Sequence, residues 1–208
     1  MDNDTLPGVP APEPDPVEER VPAAAGATAM TVDAYLALRQ ALVDRGYGEE
    51  IAWAQNVPPV TDALGFWREY AFVILNSGMR AQVASGIWQR VRPTVEGGGS
   101  AHAVFGHKGK ADAIDHGYAR RKQLLADYHA AADKMAFLAS LPWIGEITKF
   151  HLAKNLGTLD TAKPDRHLVR IAGAEGAHAL CARLARATGD RVATVDVVIW
   201  RAANLGLV

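Results

Sequence analysis

At 208 residues, 49% of them hydrophobic, the chain is long enough for one sizeable core or one domain built in two lobes. No apolar run approaches bilayer length and the N-terminus is acidic, so neither a membrane span nor a secretory signal is expected; Cys181, the only cysteine, excludes an internal disulfide, and a cytoplasmic setting is expected. The formal charge of −1 is uneven: residues 1–28 hold six acids and one base, leaving +4 on a body that permits nucleic-acid binding without demonstrating it.

Residues 1–28 carry six prolines among Ala, Glu and Asp with no apolar period, which predicts a disordered tail ahead of a folded domain over 29–208. Thr31 reads as the N-cap of a helix through Arg45 that stops at Gly46. A second helix is expected from Thr61 to about Leu75, with Leu64, Trp67, Ala71 and Ile74 on one face. Asn76, Ser77 and Gly78 break it. A third helix follows from Met79 to Val91, ended by Pro93.

Gly97, Gly98, Gly99 and Ser100 read as a flexible loop. The stretch 107–129 reads as one long amphipathic helix with basic residues on its outer side. A short helix over 133–141 leads into a Leu-Pro-x-Ile-Gly turn at 141–145, and helices over 175–188 and 192–204 complete the chain. Strand-type alternation is scarce, so the fold class is all-α.

At 142–145, Pro142 sets φ and Gly145 permits a tight approach at the start of a helix, with Ile144 between them. First-turn amides there have no intrahelical acceptor and can donate to a phosphate oxygen, and Thr148 adds a hydroxyl near the same end. A plain helical hairpin with a Pro-Gly turn is the bland alternative. Asp165 begins a further helix twenty positions after Gly145, followed by His167 and Arg170.

This layout resembles the helix-hairpin-helix DNA glycosylase superfamily, typified by endonuclease III. The residues that carry the likeness are the 69–79 helix and its loop, 107–114 with its Lys-Ala-x-x-Ile, the hairpin at about 134–157, and Asp165-Arg-His167 with Arg170. Together they span about residues 60 to 204. The resemblance implies a two-lobed helical fold, double-stranded DNA as partner, Asp165 as the reacting carboxylate, and a base pocket near Asn76, Ser77 and Met79, with Met79 as a wedge. Three departures stand out. Ile147 occupies the position of the Schiff-base lysine of bifunctional members, the polar wedge is missing, and so is the C-terminal Cys cluster. A covalent lyase route is therefore not expected.

His151, Lys154, Lys163, Arg166, His167 and Arg170 all lie within fifteen positions of Asp165. Cations around the carboxylate weaken its stabilisation of a glycosylase's cationic sugar and suit departure of phosphate. A narrower resemblance agrees: HLAKNLG and AKPDRHLVRIA are similar to phage-associated alpha-glutamyl/putrescinyl thymine pyrophosphorylases, or amino acid:DNA transferases. That family implies an amine, from a free amino acid or polyamine, replacing phosphate on phosphorylated 5-hydroxymethyluracil in DNA. Such a modified base would help a viral genome evade host restriction.

On that reading Asp165 takes a proton from the incoming ammonium and His151 or His167 protonates the leaving group. Lys154, Lys163 and Arg166 bind that group, or else contact DNA phosphates. A monofunctional glycosylase using water, with Asp165 as its carboxylate, is the runner-up, and a non-catalytic DNA-binding module is the third reading. No metal site is expected, because His102, His107, His116 and His129 lack ligand spacing, and no cofactor is implied. Trp67, Trp88, Trp143 and Trp200 read as core residues.

Overall fold

The structure is a computed structural model and describes residues 30–208; the tail expected over residues 1–28 lies outside them. Every regular element among the described residues is helical. Helices α1 (Val32–Leu42) and α2 (Gly48–Asn56) are joined by a wider π turn, and α3 (Ala63–Asn76) and α4 (Ala81–Glu96) follow. Then come α5 (Lys108–Ala119), α6 (Arg121–Ala130) and α7 (Lys134–Ala139). The last four are α8 (Thr148–Asn155), α9 (Arg166–Ala172), α10 (Ala177–Thr188) and α11 (Val192–Asn204). No helix of the described residues is long and apolar enough to cross a membrane.

The described chain divides into two compact units. Unit one is Val60–Leu152, and unit two joins residues 30–59 to Ala153–Val208. In unit one α3 is the central rod. Asp62 caps it, accepting from the amides of Leu64 and Gly65 at 3.0 and 2.9 Å. Phe66, Trp67, Tyr70, Ala71, Val73, Ile74 and Leu75 are all buried, so α3 is covered nearly all round, as a helix at the middle of a core must be. Each large side chain among them contributes roughly 1.5–3 kcal/mol by leaving water. Helices α4, α5 and α6 pack around it.

In unit two α11 has the same place. Val195, Val198, Ile199 and Ala202 meet Tyr35 and Leu42 of α1, Ile51 of α2, Leu168 of α9, and Leu180 and Leu184 of α10. Two polar residues, Thr194 and Asp196, are buried among them.

Thr31 caps α1 as expected, accepting from the Ala34 amide at 3.2 Å. Regular α-helix ends at Leu42, however, and the π turn at Val43–Tyr47 carries Gly46 at φ +87. That residue turns the chain into α2, an element the sequence reading lacked because only Ile51 and Ala54 of its residues are buried. Pro93 does not end α4. It sits one turn from the C-terminus, where the missing N–H leaves a single carbonyl unserved, and Thr94 ties its hydroxyl to the Arg90 carbonyl at 2.8 Å.

The glycine run is pinned rather than loose. The Gly99 amide donates to Thr94, and the Ser100 hydroxyl donates to Asp115 at 2.5 Å. The expected long helix over 107–129 is two, broken at Arg120, where ψ is 7. Its basic residues are not all outward either, since Lys110 is only 2% exposed.

Candidate functional site

Three of the motifs singled out in the sequence meet inside unit one. Lys110, in the first turn of α5, points its ammonium at the Ser77 carbonyl in the loop after α3. The same ammonium lies 5.7 Å from the Trp143 ring centroid. Trp143 donates its indole N–H to the Gly109 carbonyl at 2.9 Å and meets the His107 ring edge-on at 5.0 Å. Tyr70 of α3 donates its hydroxyl to the Pro142 carbonyl at 2.8 Å. Burial pushes the Tyr70 phenol well above its ordinary range, so it stays protonated and keeps donating.

The bend itself has an unusual tip. Trp143 stands at φ +64, the only non-glycine at positive φ among the described residues, and is 43% exposed. A left-handed backbone on such a residue costs roughly 1–2 kcal/mol. Trp143 is thus an exposed residue at a turn and not the core residue expected from its spacing. Ile144, by contrast, is buried and anchors the bend in the unit-one core, while Pro142 and Gly145 are exposed.

Helix α8 begins at Thr148, after a turn at Glu146 and Ile147, so Gly145 precedes the helix by more than expected. Among the described residues the amides of Gly145, Glu146, Ile147 and Thr148 have no backbone acceptor. They form the donor set that a phosphate oxygen would use. Glu146, the one acid beside them, is tied to Lys149. Asn76 returns its amide to the Phe72 carbonyl at 2.9 Å, and Asn76 and Met79 are both half-buried. His151 is half-buried on α8.

The remaining candidates lie in unit two. Asp165 is the N-cap of α9: its Oδ1 accepts from the amides of His167 and Leu168 at 2.9 and 3.0 Å. Its Oδ2 has no hydrogen bond or ion pair among the described residues. One oxygen therefore holds the side chain at the helix start. Arg166 is exposed and places its Nε 3.4 Å from the His167 ring nitrogen. Lys163 is half-buried, as is His167.

Lys154 is placed differently from the expectation that it binds a departing anion. It is buried, and its ammonium is 2.7 Å from Asp196 Oδ2. Its charge is already compensated. Asp196 is the residue the sequence reading passed over. A single acid inside the apolar run from Ala193 to Trp200 should signal a buried, paired carboxylate, because an unpaired one would cost too much. Lys110 was missed for the opposite reason: its basic neighbours His107 and Lys108 made it look solvated.

Among the described residues no group of His, Cys, Asp and Glu could hold a metal ion. Cys181 is buried in unit two, and burial pushes its thiol far above the ordinary range, which makes it a poor nucleophile.

No family model, curated protein or solved structure matches this chain.

Proposed function

We propose that this chain is a helix-hairpin-helix enzyme of the glycosylase architecture that modifies a base in phage DNA. It transfers an amino acid or other amine onto phosphorylated 5-hydroxymethyluracil. The observation that carries the reading is the meeting of the Ser77 loop, the Lys110 helix start and the 142–145 bend in one unit, which would be a coincidence in a generic hairpin.

The amine nitrogen attacks the exocyclic methylene carbon, a C–N bond forms, and the C–O bond to phosphate breaks with its electron pair leaving on the phosphate. The ammonium proton passes to Asp165 Oδ2, whose partner oxygen is fixed by two amides. Lys163 and Arg166 offer positive charge to the departing group, and His167 a proton. Ile147 supports a route without a Schiff base, since it has no amine. The donor amides of 145–148 hold the DNA backbone and read no sequence, and the target base leaves its stack to react.

Monofunctional base excision is the second reading. It is favoured by the Lys154–Asp196 pair, which removes one cation from those available to oppose a positively charged sugar. Mass spectrometry of nucleosides separates the two after incubation with phosphorylated hydroxymethyluracil DNA and a panel of amines. Heavier thymidines are expected; abasic sites support excision. Activity only on DNA lacking the phosphate rejects transfer.

A further inference from the structure

We propose that Asp196 is a positioning residue for Asp165, acting through the backbone of Lys163. The ten residues between α8 and α9 have no helix of their own, so contacts to neighbouring elements must set their path. Two of those contacts come from α11. At its start the amides of Val192 and Ala193 donate to the two oxygens of Asp160 at 3.0 and 2.9 Å. One turn further on, Asp196 Oδ2 accepts from the Lys163 amide at 3.3 Å as well as from the Lys154 ammonium.

The step from Lys163 to Asp165 is stiff. The Asp165 amide donates back to the Lys163 carbonyl at 2.8 Å, closing a three-residue turn around Pro164. A proline ring holds φ near −65°, close to what such a turn requires. Fixing the Lys163 amide therefore fixes the Asp165 backbone, and Asp165 Oδ1 in turn organises the first amides of α9.

Lys154 then has a defined task. Asp196 is 2% exposed, and its charge would be prohibitive there without a counter-ion. The plain alternative is a core ion pair that serves stability alone. A well-packed apolar pair does that at least as well, and it would not hold Lys163.

The claim about position stands apart from the chemistry; only its consequence for turnover rests on Asp165 being the reacting carboxylate. The test is NMR-detected amide exchange in the full chain. In the wild type the Lys163 amide should exchange about 100-fold or more below the free-peptide rate, and an unprotected amide overturns the proposal at once. Replacing the pair by Lys154→Met with Asp196→Leu should leave global stability close to wild type while Lys163, His167 and Leu168 exchange about tenfold faster or more.

Lys154→Met with Asp196→Asn keeps an acceptor for Lys163 without a buried charge and should bring all three amides back to within about threefold of wild type. Wild-type protection in the Leu variant overturns the proposal, as does a failure of Asn to rescue. In the nucleoside assay kcat should fall and recover with the exchange rates while KM holds. Absence of turnover in the wild type would remove the functional reading and leave the exchange result standing.

Discussion

Gly157 lies against the backbone of Pro58 so closely that a β-carbon there would stand 2.7 Å from the Pro58 carbonyl carbon. Its φ is +69, a conformation that side chains rarely adopt, so the site excludes them twice over. Gly157→Ala should destabilise the protein by about 3 kcal/mol or more, because neither backbone can yield as a flexible side chain would. Urea unfolding measures this. A loss below about 1 kcal/mol would mean that the close approach is not maintained.

The tip of the hairpin makes the opposite prediction. Trp143→Gly removes a positive-φ penalty of roughly 1–2 kcal/mol and at the same time loses one hydrogen bond and the packing of a half-exposed ring. These offset each other, so stability should change by no more than about 1 kcal/mol. If the variant also loses DNA affinity in a fluorescence titration, the indole is kept for binding. A large stability loss would instead make Trp143 a structural pin.

In unit one the Arg68 side chain holds Glu96 by a bidentate pair at 2.7 and 3.0 Å. The hydrogen bond to Arg68 keeps the Glu96 carboxyl below its ordinary range, outweighing burial, which acts the other way. With the folded pKa depressed, this pair stabilises the fold above the unfolded carboxylate pKa of about 4.3 and ceases to do so as pH falls through the folded value. Glu96→Gln should therefore lower stability at neutral pH and flatten the acid limb. The effect is small because both side chains are partly exposed. An unchanged acid limb would assign that transition to other carboxylates.

Sequence periodicity revealed α3, α10 and α11 because each buries a broad apolar face, and periodicity responds to faces. The stop at Gly46 was legible from the glycine, but α2 beyond it was not, and the pattern failed at Arg120, where the backbone redirects the chain while the apolar period runs on. The site divides along the same line. Asp165 was legible as a helix start, because an N-cap needs a short acceptor there. The Lys154–Asp196 pair was not: its partners are 42 residues apart, and a lysine near other cations looks like surface until its counter-ion is known. Trp143 misled for a related reason, since an aromatic at core spacing says nothing of a turn that points it outward.

Asp165→Asn isolates charge from structure. Asparagine caps a helix about as well as aspartate, so the amides of His167 and Leu168 keep an acceptor and α9 keeps its start, with stability changed by about 0.5 kcal/mol or less. Asp165→Ala should lose about 1 kcal/mol more, as a cap removed. If Asp165 Oδ2 takes the substrate proton, both variants should lose about 10²–10⁴-fold in kcat. The ordering of the two readouts carries the inference: Asn matches wild type in unfolding and matches Ala in turnover. An Asn variant that retains full activity would leave Asp165 as a helix cap alone, and the reacting carboxylate would have to be sought elsewhere in the chain.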